Sequence, residues 1–336
     1  DVNSQVQSAK KQEKLQREKK KGANDPKALD QYTAEHPFTP QEATLQVTAN
    51  LFDVTSLKEQ YNKVKAHDLH NEGTAGVMYH NKDGKVSFRP SQDVTPVLKF
   101  PHRKGEKTEG AVVIYAAPYR TKEGEVPHNL YFVCHDPYAQ EKSGSNESLG
   151  AAYVIKRPNN LSKPDDIIVA SYVGRPKTQD EYNRNLFMLA EYYNAKIGFE
   201  NDRGELIAYA KRYRKLHKLQ EEFEMLDKKE LKSRNVRRQY GMHMTEQRKR
   251  QGELYIRDWL ITPRHTDEDG NTTLNLHRIY DPALLQELIK FNHKGNFDRV
   301  MAFMVGMYHT RELYNKEVVE ILTDRSADDW FDNIYQ

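Results

Sequence analysis

Residues 129-NLYFVCHDPYAQ-140 run from an apolar strand straight into charge. Leu130 to Cys134 is a short apolar run of the kind that becomes a buried strand, and His135, Asp136 and Pro137 follow it without an intervening loop. A carboxylate at the end of a buried strand is costly to desolvate unless something compensates its charge. Two more apolar runs follow, 149-LGAAYVI-155 and 166-DIIVASYV-173, separated by the polar stretches 140-QEKSGSNES-148 and 156-KRPNNLSKP-164. Short loops between three successive strands predict an antiparallel meander.

Thr178 then opens a helix, with Glu181 three residues on as a capping box and an apolar stripe of Tyr182, Leu186, Leu189 and Tyr193. The next strand is short, 196-KIGFEN-201. A helix between the third and fourth strands permits parallel pairing there. The expected fold is therefore α/β, a mixed sheet (antiparallel meander plus parallel strands) flanked by helices on both faces. Beyond Gly204 a helix is expected with Leu206, Tyr209, Tyr213 and Leu216 on one face, whereas residues 240–262 show no clear period. Asp281-Pro282 starts another helix, Gly295-Asn296 breaks it, and a strongly apolar last helix begins at Asp298.

Upstream, GVMYHN, KVSF, VLKF and AVVIYAAP read as short strands between about Gly76 and Pro118, with a hairpin at Asn81-Lys82-Asp83-Gly84. Segment 36-HPFTPQEAT-44 reads as a turn and helix start, with Thr39 as N-cap, Pro40 in the first turn and Glu42 closing a capping box. Three regions are expected: 1–30, a Lys-rich polar linker or frayed helix; 31–118, a β-rich connecting region; and 119–336, the main domain.

The chain has 336 residues, 37% hydrophobic content and a mean hydropathy of −0.92. No apolar run approaches the roughly 18–20 residues needed to cross a bilayer, so no membrane partner is expected. The opening residues are polar and Lys-rich, unlike a secretory leader. The single cysteine, Cys134, excludes an internal disulfide and a cysteine-based zinc cage, and its place in an apolar strand suits a small buried side chain. Net charge is only +3, yet residues 203–250 hold 15 Lys/Arg against 7 Asp/Glu, a local +8. Such a block is either a polyanion-binding face or a solvated charged helix pair.

Three acids lie at element ends: Asp136 after the first strand of the meander, Glu200 after the fourth strand, and Asp298 at the start of the last helix. Singly, each also suits an ordinary role as turn residue, loop polarity or N-cap. Converging, they would repel one another unless a cation sat between them, and oxygen donors select Mg²⁺ or Mn²⁺. His135 is expected to face the other side of the sheet from Asp136, because strand neighbours alternate. His217 and His243 have no ligand-like spacing.

The chain resembles the nuclease part of the terminase large subunit of tailed bacteriophages, the viral DNA-packaging motor protein, over about residues 32–314. The likeness is closest in 131-YFVCHDPYA-139, 167-IIVASYVGRPKTQDEYNRNLFMLAEYYNAKIGFEND-202 and 295-GNFDRVMAFMVGMYH-309. Asp136 matches the family's strand ending in Asp-Pro-x-Ala, Glu200-Asn201 its strand ending in Glu-Asn, and Asp298 its Asp opening an apolar helix. Segment 36–44 resembles the end of the family's ATPase part. The resemblance implies a ribonuclease-H-like fold and metal-dependent cleavage of double-stranded DNA with two ions, leaving 5′-phosphate and 3′-hydroxyl ends. Asp136 would bridge both ions, and Glu200 and Asp298 would each complete one site. It also implies the portal protein, the small terminase subunit and the motor's ATPase part as partners, and residence in the host cytoplasm with transient docking at the portal. The acidic, aromatic tail 326–336 would be a docking element in that setting or, on its residues alone, a packed or disordered chain end.

The family's phosphate-cradling Gly-x-x-x-x-Gly-Lys-Ser/Thr loop is missing from this sequence, so no ATP site is expected in it; the chain is either a fragment or relies on an ATPase elsewhere. Phosphate contacts are expected from Arg203, Lys211, Arg214, Lys215, Arg237 and Arg238 in the basic block. Rival readings are an integrase, transposase or resolvase on the same fold, a non-catalytic DNA-binding module of the packaging machine, or DNA binding through the Lys-rich residues 1–25.

Overall fold

The computed structural model describes residues 2–21, 32–33, 36–38, 50–102, 105–138, 148–201, 205–222, 240–268, 270–292 and 295–313. Seven strands form one sheet in the order β2-β1-β3-β6-β5-β4-β7. They are β1 (Thr74–His80), β2 (Val86–Pro90), β3 (Ala111–Ile114), β4 (Tyr131–Asp136), β5 (Gly150–Lys156), β6 (Ile167–Gly174) and β7 (Lys196–Phe199). Only the β4–β7 pair is parallel; every other neighbour is antiparallel. The meander β4-β5-β6 with a parallel fourth strand beside its first member is the expected ribonuclease-H-like core. A short pair, β8 (Pro263–Thr266) and β9 (Thr272–Leu274), stands apart.

The helices are α1 (Val2–Lys21), α2 (Val54–Ala66), α3 (Gln179–Tyr192), α4 (Glu205–Arg212), α5 (Glu246–Leu260), α6 (Pro282–Lys290) and α7 (Asp298–Leu313). Strand alternation splits the core in two. Phe132, Cys134, Tyr153 and Ile155 pack with α2, α5, α6 and α7 on one face, while Tyr131, Val133, Ala152 and Val154 pack with α3 and α4 on the other. Helix α7 crosses β4, β5 and β7. Its approach depends on Gly306, where a Cβ would stand 2.6 Å from Ile155 Cδ1 and 2.9 Å from Cys134 Sγ. Burial among these groups pushes the Cys134 thiol up to about 12, which leaves it inert at neutral pH.

Several expected elements form for the reasons the sequence suggests. Thr178 Oγ1 accepts the Glu181 N–H at 3.2 Å and starts α3. Asp281 Oδ1 accepts the N–H groups of Ala283 and Leu284 and starts α6, with Pro282 in its first turn. Asn81 to Lys85 closes the β1–β2 hairpin, with Gly84 at φ +74.

Other expectations change. Strands β1 to β3, expected in a connecting region, are hydrogen-bonded into the main sheet through the β3–β6 pair, so the sheet runs across the 118/119 boundary. Val97–Phe100 is not a strand; the Val97 carbonyl instead accepts from Arg299 at 2.7 Å. The helix after Gly204 stops at Arg212, because Arg214 turns left-handed at φ +55 and leaves Tyr213 exposed. Residues 246–260 form α5, capped by Thr245. Residues 2–21 are helical. The helix start at 39–42 and the tail 326–336 lie outside the described residues. Among those residues, no helix is long and apolar enough to cross a membrane.

Candidate active site

Two of the three acids meet through strand register. Strands β4 and β7 run parallel with His135 opposite Phe199, so one residue further on Asp136 stands beside Glu200. Alternation turns both side chains to the α7 face: Asp136 follows Phe132 and Cys134, and Glu200 follows Gly198, whose position abuts the Phe132 ring. The Glu200 N–H reaches the His135 carbonyl at 3.4 Å, and Glu200 also bridges Met242. Asn201 explains why Asn follows the acid: its N–H bonds the Met242 carbonyl at 2.8 Å and its amide the Tyr240 carbonyl at 2.7 Å, which anchors the end of β7. Pro137, without an N–H, ends the β4 ladder just past Asp136.

The third acid arrives with the N-terminus of α7. Asp298 is 7% exposed. Its Oδ1 accepts from Ser148 Oγ at 2.7 Å and its Oδ2 from the Leu149 N–H at 2.8 Å. Burial raises its carboxyl above the usual range, and these two donors, Arg299 and Asn296 oppose the rise. Arg175 braces the same point by donating to the Ser148 carbonyl at 2.8 Å while its guanidinium lies over the Tyr138 ring.

Beneath Asp298 a buried ionic network holds the first turn of α7. Arg299, 1% exposed, donates from Nη1 to Glu287 Oε1 at 2.8 Å, and its own N–H and that of Val300 donate to Glu287 Oε2. Asp281 stands 3.8 Å away and accepts from the Tyr153 hydroxyl at 2.7 Å. Burial pushes the Glu287 carboxyl up to about 7 against the pull of Arg299, while the two acids hold Arg299 charged.

Asp136, Glu200 and Asp298 line one cavity of about 310 Å³. Ser148, Asn292, Asn296, Glu246 and Lys249 share its wall. Four carboxylates therefore face one ammonium, and Lys249 is 3.7 Å from Glu246. The donor set fits hard divalent cations: oxygen ligands, excess negative charge and no thiol. It is not a ready-made cage; among the described residues no three His, Cys, Asp or Glu side chains are grouped so as to hold an ion, and both Asp298 oxygens are turned to Ser148 and Leu149.

His135 points away, as alternation requires. It is 1% exposed, its Nδ1 bonds the Ala151 carbonyl at 3.0 Å, its ring stacks on Tyr182, and burial pushes its imidazole down to about 4.

Of the expected phosphate contacts, the three that fall among the described residues are not gathered at this cavity. Arg203, Arg237 and Arg238 lie outside the described residues. Lys211 and Arg214 are exposed at the far end of α4, and Lys215 is bound to Glu191 at 2.6 Å; none of the three lines the cavity. Sequence reasoning missed Glu246 and Lys249. The usable signal was Thr245, an N-cap residue directly before an i,i+3 Glu–Lys pair.

No protein-family model matches the chain, and a comparison with curated proteins finds no match. Solved structures similar to it include three of the large terminase nuclease from thermophilic phage G20c. The one with bound zinc is 12% identical, with a TM-score of 0.37, and the likeness covers 67% of this chain and 95% of that chain. The one with bound magnesium is 12% identical, with a TM-score of 0.32, covering 64% and 93%. A third is 12% identical, with a TM-score of 0.31, covering 67% and 95%.

Proposed function

We propose that the chain is a divalent-metal-dependent endonuclease that hydrolyses double-stranded DNA. The observation that carries this reading is the register that sets Asp136 beside Glu200 on one face, with Asp298 lining the same cavity. A partly enclosed excess of carboxylates is unfavourable by itself and becomes favourable with a hard cation between them.

Asp136, Glu200 and Asp298 would hold Mg²⁺ or Mn²⁺. Two such ions supply Lewis-acid activation of water and neutralise charge on the phosphodiester. The chain's own contribution is positioning. The paired strand ends keep Asp136 and Glu200 in line, and Ser148 and Leu149 fix the Asp298 carboxylate at the cavity wall. The Lys249 ammonium is placed to meet a phosphate oxygen, offsetting negative charge that develops there. The sequence resemblance to terminase large subunits supports a setting in viral genome packaging, with the ATPase part, the portal and the small subunit as partners in the host cytoplasm.

The test is nicking of supercoiled plasmid with Mg²⁺ or Mn²⁺. Conversion to open-circular and linear forms that stops on adding EDTA is the expected result. No cleavage with either ion over a range of protein concentrations contradicts the proposal.

A further inference from the structure

Strand β7 carries opposite charge at its two ends. Glu200 follows its last residue, and Lys196 is its first. Strand alternation puts Lys196 on the same side as Gly198 and Glu200. The chain then builds a second cation beside it. Ile197 bridges Leu219 in parallel and the Gln220 N–H bonds the Ile197 carbonyl at 2.8 Å, so the 3₁₀ turn Leu216–Lys218 ends one residue before that bridge, as Lys196 stands one residue before it on β7. Lys196 is also in register with Phe132, and His128 lies four residues before that position.

Like charges set side by side across strands are unfavourable. Lys196 and Lys218 both act on the His128 imidazole and, after burial, push it below its ordinary value. The Lys218 ammonium is lowered by burial and by Lys215, with Glu191 opposing. Glu191 is already bound to Lys215 at 2.6 Å. Among the described residues, neither Lys196 nor Lys218 has an ion pair. An anion bound here would offset the positive charge that both lysines bring to His128.

We infer that Lys196, Lys218 and His128 form a backbone-phosphate subsite for the same DNA duplex that reaches the acid cavity. The inference rests on the nuclease reading for its choice of polyanion. A strand advances about 3.3 Å per residue, so Lys196 and Glu200 are about 13 Å apart along β7. Duplex DNA presents a phosphate every 3.4 Å or so of axis on each strand. A duplex spanning that distance over the surface would meet the cationic end a few base pairs from the carboxylates. Contacts of this kind fix register and orientation and carry no base information.

The experiment is fluorescence anisotropy of a labelled duplex of about 30 base pairs with the full chain in EDTA, across a salt series. The expected result for Lys196→Gln/Lys218→Gln is affinity reduced several-fold at moderate salt, with the slope of log K against log salt flattened by about 1.8 (0.9 per phosphate). Lys196→Arg/Lys218→Arg should keep the parent slope, which separates charge from folding. Lys122→Gln, on an exposed turn elsewhere, should also leave it unchanged. Asp136→Asn should bind at least as tightly as the parent. An unchanged slope in the Gln double variant, or no duplex binding by the parent at low salt, overturns the subsite. Lysine-dependent binding without metal-dependent cutting would instead refute the nuclease reading and leave the subsite standing.

Discussion

Glu200 stands beside Asp136 because β7 runs parallel to β4 with His135 opposite Phe199. Antiparallel pairing would carry Glu200 to the other end of β4, and a one-residue slip would turn its side chain to the α3 face. The helix between β6 and β7 makes the parallel direction possible. The proposed chemistry therefore depends on a backbone relationship far more than on a local motif.

That relationship sets the first prediction. Asp136→Asn and Glu200→Gln keep side-chain size and remove one charge each. Either should reduce metal-dependent plasmid cleavage by about 100-fold or more, as expected when a group that stabilises the reacting phosphate is lost. Both variants should melt no lower than the parent without metal, because each relieves repulsion between neighbours. Cleavage near the parent rate in either variant refutes the assignment.

Divalent ions should stabilise the fold as well as activate it. A ligand that binds only the native state at about 100 times its Kd adds about 2.7 kcal/mol. Thermal denaturation should therefore shift upward with Mg²⁺ or Mn²⁺ and return to baseline with EDTA. The shift should be absent from Asp136→Asn/Glu200→Gln. A metal-dependent shift of full size in that double variant would place the ions elsewhere.

Arg299 should matter to stability more than its distance from the cavity suggests. Removing one partner of a buried ion pair leaves the other uncompensated, at a cost of about 3–5 kcal/mol. Arg299→Met strands Glu287 and Asp281, both buried, and should lose that amount in urea denaturation. Arg299→Met/Glu287→Leu removes both charges and should recover part of it. Because the network holds the α7 turn that carries Asp298, the single variant should also lose cleavage.

Much of this fold is legible in the sequence. The meander was readable because three apolar runs are joined by short polar loops, and α3 and α6 because Thr178 and Asp281 announce their caps. The three acids are readable as element ends, but the meeting of Asp136 with Glu200 follows from the β4–β7 register, which no local stretch encodes. The β3–β6 pairing joins Val113 to Ser171 across a long span of chain, so the strands before residue 118 looked like a separate region. Helix α5 hid because Arg248 and Glu253 are buried in it, and Gly252 packs against Met304, which blurs its apolar period. Its Lys249 reached the cavity unannounced for the same reason.

Asp165 predicts an acid limb. Burial alone would raise its carboxyl, but the Lys163 ammonium, the Asn159 N–H and the Arg264 guanidinium more than reverse this and hold it below its ordinary value. A depressed carboxyl contributes stability that is present above its unfolded pKa and lost as pH falls through the folded one. Melting temperature should thus be insensitive to this group above about pH 4 and fall below it. Asp165→Asn should be less stable at neutral pH and show a shallower acid decline. A variant with the parent's full acid slope would refute the linkage.

Gly306 sets how closely α7 approaches the sheet and so where Asp298 lands. A Cβ at this position would meet Ile155 Cδ1 at 2.6 Å and Cys134 Sγ at 2.9 Å, both shorter than ordinary contact. Neither neighbour has room to withdraw, since Cys134 and Ile155 are 0% and 1% exposed. Gly306→Ala should therefore destabilise by about 1–3 kcal/mol despite alanine's better helix propensity, because overpacking outweighs the roughly 1 kcal/mol that propensity returns. Ile155→Val removes the atom in closest conflict. The double variant should then be more stable than the sum of the two single changes predicts, since their effects share one contact. Additive urea midpoints would mean that the helix simply shifts outward, and cleavage should then fall in Gly306→Ala even where stability does not.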